Sequence, residues 1–460
     1  MKNDTIAAIA TAPGESGIGI VRLSGPDALA LAGRLVTLKS GKKPKTLSTH
    51  TIHYGHAADP ATAEIIDEVI LSVMKAPGTY TREDVAEINC HGGMISLRRT
   101  LEAAVALGAR LAEPGEFTKR AYLNGRIDLA QAEAVIDIIK AKTSESLKAA
   151  VNQLKGRLSA ELMEITEELK AAAALVEANI EFPEEGLEST DLKKTGRAIK
   201  KVKERLQALA GTAEAGKILR EGAKVSIIGR PNTGKSSLLN ELLDEERAIV
   251  THLPGTTRDV IEESINLDGI PFVLSDTAGI RESSDLIEKK GIQRTFNSIE
   301  AADAVILMLD GSVGLSLDDV EAAKRARGKK ALLVINKSDL AQKLNEKEAG
   351  KLLPGAKTVK ISVLRAKGIK ELKKALRGLI EEKGISGRED LIITNLRHKL
   401  LIEGAVTSLC NALESIEKGM SEEFIALDIR GALDHLGAIT GKVSTDDIIN
   451  KIFADFCVGK

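Results

Sequence analysis

The 460-residue chain contains no tryptophan, and aromatic residues make up only 2% of it. Its cores must therefore be aliphatic, and the aromatic platforms on which single-stranded nucleic acids stack their bases are not expected. Three cysteines, Cys90, Cys410 and Cys457, are too few and too scattered for a disulfide framework or a zinc site. That usage fits a reducing compartment and predicts a cytoplasmic protein. Neither sign of charge is in excess, since 65 Lys and Arg face 66 Asp and Glu. No global basic field advertises nucleic acid, so any RNA contact must be local or supplied by a partner. No apolar run approaches the ~18–20 residues that span a bilayer, and no membrane partner is expected. Asp4 precedes the short apolar stretch Ile6–Ala10, which does not read as a signal peptide.

What is present is ordinary for a globular protein: 43% hydrophobic and 28% charged residues. The length allows about three domains. Residues 1–118 mix short apolar strands, such as Ile18–Leu23 and Glu68–Met74, with punctuation at Pro13-Gly14, Pro77-Gly78, Gly92-Gly93 and Pro114-Gly115, and predict an α/β domain. Residues 119–217 turn helical. Val151, Leu154, Leu158, Leu162, Ile165, Leu169 and Val176 place one stripe on a single long helix that Phe182-Pro183 ends. A second helix is expected over 191–215. From 218 to 382, apolar runs at Lys224–Ile228, Phe272–Leu274, Ala304–Leu309, Ala331–Ile335 and Thr358–Ile361 alternate with helical stretches. Such alternation predicts a mostly parallel sheet with helices on both faces. Residues 383–460 return to helix. The expected fold class is α/β and α: an N-terminal α/β domain, and a helical-bundle domain into which another α/β domain is inserted.

Gly229-Arg230-Pro231-Asn232-Thr233-Gly234-Lys235-Ser236, followed by Ser237, matches G-x-x-x-x-G-K-[ST] between a strand and a helix. Glycines let backbone N–H groups wrap a phosphate at the positive end of a helix. Lys235 would reach the β- and γ-phosphates, and the Ser236 hydroxyl would ligate Mg²⁺. Three further pieces arrive in order. Asp276-Thr277-Ala278-Gly279 ends a strand, where Asp276 suits the Mg²⁺ shell and the Gly279 N–H the γ-phosphate. Asn336-Lys337-Ser338-Asp339 ends another, and a carboxylate at Asp339 accepts from N1–H and the 2-amino group of guanine, which adenine lacks. Ser362-Val363-Leu364 follows the next strand, with N–H groups for the guanine carbonyl. The domain is thus expected to be a Ras-like P-loop domain that binds and hydrolyses GTP. Ras-like proteins orient the attacking water with a Gln after Asp-x-x-Gly. Here that position is Ile280, and the polar run from Arg281 to Glu288 holds the candidates to replace it.

The whole chain resembles the MnmE (TrmE) family of tRNA wobble-uridine modification GTPases. The carriers are Gly14 with Arg22-Leu23-Ser24-Gly25, Glu83-Asp84 with His91-Gly92-Gly93, and Pro114-Gly115-Glu116-Phe117 with Asp128-Leu129-Ala130-Gln131-Ala132-Glu133. Gly255-Thr256-Thr257-Arg258-Asp259 and the terminus Phe456-Cys457-Val458-Gly459-Lys460 complete the set. The resemblance implies a homodimer with an N-terminal folate-binding domain. It implies a flavoprotein partner, MnmG, with which an aminomethyl or carboxymethylaminomethyl group is added to carbon-5 of the wobble uridine of certain tRNAs. The one-carbon donor would be 5-formyl- or methylene-tetrahydrofolate.

Hydrolysis would be gated by dimerisation of G domains around K⁺, with Asn232, Thr251, the Leu253 backbone and Thr256 as its ligands and Thr257 joining Ser236 on Mg²⁺. The run Thr251, His252, Leu253, Pro254, Gly255, Thr256 and Thr257 would contact GTP, and Glu288 would organise the catalytic water. Folate would meet Arg22, Glu87, Arg126 and Lys460, and the two chain ends, of one protomer or of two, would have to come together. Cys457 is near that site without a catalytic assignment. A ribosome-assembly GTPase, acting as an RNA-binding switch, and a purely structural GTP-gated dimer are the competing readings.

Overall fold

The structure is a computed structural model that describes residues 4–181, 189–246, 263–276, 299–381, 391–443 and 445–460. The first unit contains β1 (Ile6–Ile9), β2 (Gly19–Ser24), α1 (Ala28–Leu35), β3 (Val36–Leu38), β4 (Thr51–Ala58), β5 (Ile65–Met74), β6 (Val85–Cys90), α2 (Met94–Ala106) and β7 (Arg110–Leu111). The sheet order is β3-β4-β5-β6-β2-β1-β7, antiparallel except where β7 joins β1. Alternation along β5 sets the inner face: Val69, Leu71 and Val73 are buried while Glu68 and Ile70 are exposed. Leu31 and Leu35 of α1 and Leu97 of α2 cover that face.

Next come α3 (Glu116–Leu123), α4 (Leu129–Lys140), α5 (Ser144–Leu154), α6 (Arg157–Glu181), α7 (Ser189–Gly211) and α8 (Ala213–Glu221). The single long helix expected through Val151 and Val176 is in fact two. Gly156 takes φ 81 and turns the chain between α5 and α6, a conformation that costs glycine little. The apolar spacing runs on across the break, so periodicity alone hid it. The boundaries expected at 118 and 217 cut α3 and α8. Helix α8 runs on to Glu221 and stops at Gly222, which has φ 92.

The inserted domain comprises β8 (Ala223–Ile228), α9 (Lys235–Glu246), β9 (Glu263–Leu267), β10 (Ile270–Asp276), β11 (Ala304–Asp310), α10 (Leu317–Ala326), β12 (Ala331–Asn336), α11 (Glu346–Leu352), β13 (Lys357–Lys360) and α12 (Ile369–Glu381). Its order is β13-β12-β11-β8-β10-β9, parallel apart from β9 against β10. Every residue of β11 is buried, because helices lie on both faces. Ile306 and Met308 pack with Leu238 of α9 and Leu372 of α12. Val305 and Leu307 pack with Ala323 of α10 and Ala349 of α11.

After the insertion, α13 (Leu396–Glu417), α14 (Glu422–Thr440) and α15 (Asp446–Ala454) finish the chain. Leu162 and Ile165 of α6, Val202 and Leu206 of α7, Ile402 of α13 and Ile429 of α14 share one core. Helices on either side of the insertion therefore fold together. Helix α4 is tied to this bundle by charge. Glu133, buried, accepts from Arg397 Nε and Nη2, both at 2.9 Å, and lies 2.6 Å from His398 Nε2. Burial alone would raise the Glu133 pKa, but its bonds with His398 and Arg397 bring it down to about 2.

Candidate functional site

Strand β8 delivers the chain into the 229–234 loop, and α9 begins at Lys235. Gly234 has φ 102, and a Cβ there would stand 2.4 Å from Asn336 Nδ2. Glycine thus makes room for a strut: Asn336 Nδ2 donates to Thr233 O (2.9 Å) while Asn336 Oδ1 accepts from Val363 N (3.1 Å). One side chain joins the phosphate loop to the loop after β13. Lys235, also buried, donates from Nζ to the carbonyls of Gly229 and Arg230 at 2.9 and 2.8 Å. Thr233 Oγ1 closes the loop on Arg230 O at 3.0 Å. Asn232 takes φ 63 and is exposed, as are Ser236 and Ser237 at the start of α9. Asp276 ends β10 in register with Ile227 of β8, beside the loop.

The base-reading side is equally tied. Ser362 Oγ donates to Asp339 Oδ1 at 2.6 Å, and that bond first of all holds the Asp339 carboxyl below the usual range. Lys337, at φ 62, pairs its Nζ with Asp310 Oδ2 at 2.6 Å. Burial would push Asp310 up, but the bonds from Lys337 and Ser312 outweigh it and keep the carboxyl low. Asp310 was missed in the sequence; its signal is an acid that closes an otherwise apolar strand. Ser338 N donates to Ile361 O at 3.0 Å, which holds the motif against the end of the neighbouring strand. In the 362–364 loop, Ser362 N–H goes to Lys367 O and Val363 N–H to Asn336. Two of the three N–H groups expected for a guanine carbonyl are thus committed to the protein itself.

These residues fit a nucleoside triphosphate with Mg²⁺: a loop too tight for Cβ atoms at its glycines, a buried lysine, and a helix start carrying the Ser236 hydroxyl. Thr251, His252, Leu253, Pro254, Gly255, Thr256, Thr257, Thr277, Ala278, Gly279, Ile280 and Glu288 lie outside the described residues, as does the Asp276 side chain.

A second site gathers the two chain ends. Arg22 on β2 faces Glu87 of β6 in register. Its Nε donates to Glu87 Oε1 at 2.8 Å, and Nη1 to Gly459 O at 3.4 Å. The guanidinium sits 5.6 Å from the Phe117 ring centroid. Backbone bonds dock the tail, Gly115 N to Cys457 O (3.3 Å) and Phe117 N to Lys460 O (3.2 Å). The ends therefore meet within one protomer, with Cys457 exposed beside them. Arg126 has different neighbours: it stacks 4.6 Å from the Tyr80 ring centroid, on a cleft of about 460 Å³. Tyr80 and Phe117 pack in one small core with Ile6 and Ala8.

Several residues that carried the resemblance prove to be structural. Arg120, buried, donates to Asp4 Oδ1 (2.6 Å), Glu83 Oε1 (3.1 Å) and Glu116 Oε1 (3.0 Å). Arg110 bridges the same Asp4 and Glu116 at 2.7 and 3.0 Å. This network anchors the N-terminus on α3. Asp128 and Gln131 form a reciprocal cap on α4.

Fold and nucleotide motifs together define a P-loop GTPase whose G domain is inserted into a helical domain behind an N-terminal α/β domain. Comparison with known proteins narrows the class. Residues 129–457 match the MnmE helical domain, and residues 5–126 match the GTP-binding protein TrmE N-terminus. The chain is 48% identical over 457 residues to the tRNA modification GTPase MnmE of Thermoanaerobacter pseudethanolicus, covering 99% of each. It is 47% identical over 460 residues to that of Acetivibrio thermocellus, covering 100% of each. With that of Clostridioides difficile the identity is 46% over 458 residues, covering 100% of this chain and 99% of the relative. The chain belongs to the MnmE (TrmE) family of tRNA modification GTPases. No helix among the described residues is long and apolar enough to cross a membrane.

Proposed function

We propose that this chain is a cytoplasmic, homodimeric, K⁺-dependent GTPase that acts on tRNA together with the flavoprotein MnmG. The product is an aminomethyl or carboxymethylaminomethyl group at carbon-5 of the wobble uridine, with the one-carbon unit supplied by 5-formyl- or methylene-tetrahydrofolate. The observation that carries this reading is the pairing, in one chain of this family, of a guanine-nucleotide site with a separate terminal site around Arg22, Glu87 and the docked tail.

At the nucleotide site, Lys235 and the loop N–H groups would hold the phosphates, Asp339 and the Leu364 N–H the base, and Ser236 with Thr257 the Mg²⁺. Magnesium supplies charge neutralisation to the phosphates when bound. Asn232, exposed on its left-handed backbone, would hold K⁺ with Thr251, Leu253 and Thr256, and the cation adds positive charge where no arginine finger is evident. Glu288 replaces the missing glutamine as the group that orients water. At the terminal site, Arg22, Arg126 and Lys460 suit carboxylate and Glu87 suits the N–H groups of a pterin.

Nucleoside analysis of tRNA from a strain lacking this protein tests the reading. Loss of the carbon-5 substituent supports it. Fully modified tRNA together with a ribosome-assembly defect would favour the RNA-binding switch instead. The K⁺ assignment has its own test, since turnover is expected to be much faster in KCl than in NaCl and Asn232→Ala to erase the difference. Equal rates in the two salts would refute it.

A further inference from the structure

The cleft beside Arg126 holds a second guanidinium that nothing so far uses. Pro77, Gly78, Thr79, Tyr80, Arg82 and Arg126 line its about 460 Å³. Neither arginine has an ion-pair partner among the described residues, whereas Arg22, Arg110 and Arg120 in the same region all do. The Arg126 guanidinium carbon lies over the Tyr80 ring, 4.6 Å from its centroid, and a guanidinium so placed can fork a carboxylate through its N–H groups. Tyr80 is itself fixed, its hydroxyl 2.9 Å from Thr118 Oγ1.

Arg82 is held with equal care. It has φ 59, a left-handed conformation that a bulky side chain adopts rarely and that persists only where the surroundings impose it. Those surroundings are visible. Thr79 Oγ1 donates to Glu83 O (2.6 Å), Asn124 Nδ2 to Thr81 O (2.6 Å), and Arg82 Nη1 to Asn124 O (3.0 Å). The last two bonds lock the Arg82 loop to the turn that presents Arg126, so the two cations are presented together on one rigid rim. Such a rim suits a ligand segment bearing several carboxylates.

We infer that Arg82 and Arg126 form a subsite for the glutamyl tail of the reduced folate, and that it distinguishes poly-γ-glutamyl forms from the monoglutamate. This rests on the folate reading of the terminal site. The subsite adjoins that site through the Tyr80–Phe117 core, Arg22 lying on Phe117 and Arg126 on Tyr80. Each additional γ-linked residue brings one more carboxylate to a rim whose two guanidiniums have no ion-pair partner among the described residues.

Calorimetric titration of the full chain with 5-formyltetrahydrofolate and with its triglutamate tests the inference. The triglutamate is expected to bind about tenfold more tightly at low salt, with the gap closing as salt rises. Arg82→Gln should bring the triglutamate down to the monoglutamate level, and Arg82→Lys, which keeps the charge, should restore part of the gap. Equal affinity of the intact chain for both forms overturns the inference and leaves the folate reading standing. A parallel loss of both forms in Arg82→Gln also overturns it, since that variant would then be disturbing the pocket as a whole. Failure of both forms to bind the intact chain overturns the inference and the folate reading together.

Discussion

The nucleotide site takes its side chains from short runs that follow parallel strands, Gly229 to Ser236, Asn336 to Asp339 and Ser362 to Leu364. The terminal site instead joins Arg22 to Gly459, separated by 437 positions. In the first, the sheet brings strand ends together and each loop carries its chemistry in consecutive residues. In the second, single residues from β2, β6, α3 and the tail converge, each held by packing that its own neighbours in sequence do not reveal. The lesson is that the two sites have separate supports. Beneath one is the core of the inserted sheet, beneath the other the charge network of Asp4, Glu83, Arg110, Glu116 and Arg120.

That division can be broken most severely at Glu133, which ties α4 to α13. Glu133→Ala would leave the Arg397 guanidinium partly buried without its carboxylate and is expected to cost about 3–5 kcal/mol of stability, measured by urea unfolding. The native pair has a pH signature. Glu133 titrates near 2 in the fold against an ordinary 4.5. Its contribution is therefore complete above about pH 4.5 and is lost as pH falls toward 2, so the gap between wild type and variant should narrow across that window. A gap that persists unchanged to pH 2 would remove Glu133 as the tie.

Next in size, Lys235→Ala should lower single-turnover GTP hydrolysis by roughly 10²–10³-fold, as loss of one aimed electrostatic contact does elsewhere, while reduced-folate binding is retained. Loss of folate binding as well would mean that the two sites are not separately supported. Asp339→Asn should weaken GTP by about tenfold to a hundredfold, the usual worth of hydrogen bonds to a charged group, and favour xanthine nucleotides, whose C2 carbonyl accepts from a carboxamide. The smallest effect is expected from Ser362→Ala, a few-fold loss of GTP affinity through the single bond to Asp339. Nucleotide titration of the two variants measures both, and a larger loss from Ser362→Ala than from Asp339→Asn would reverse the assignment of base reader and support.

How much of this was legible follows from the same contrast. Lys235, Asn336 and Asp339 were readable because phosphate and guanine impose residue type and spacing on a contiguous run. The alternation of strand and helix in the inserted domain was readable because both faces of β11 are covered and the run is wholly apolar. The break at Gly156 was not, since a helical repeat can continue in phase through a turn. Asn336 as a strut, Asp310 under Lys337, and Glu83 beside Arg120 were also invisible, because each acts on a partner far away in sequence. Arg22 and Glu87 were found only through the resemblance; as isolated residues they look like surface charges.

Deleting Cys457–Lys460 tests the separation of the two sites most directly. The tail is docked by backbone bonds to Gly115 and Phe117 and touches Arg22, and none of these bonds reaches the inserted domain. GTP hydrolysis by the truncated chain is expected to stay near the wild-type rate while reduced-folate binding and wobble-uridine modification disappear. Parallel loss of hydrolysis and folate binding, or folate binding that survives the deletion, would contradict the account.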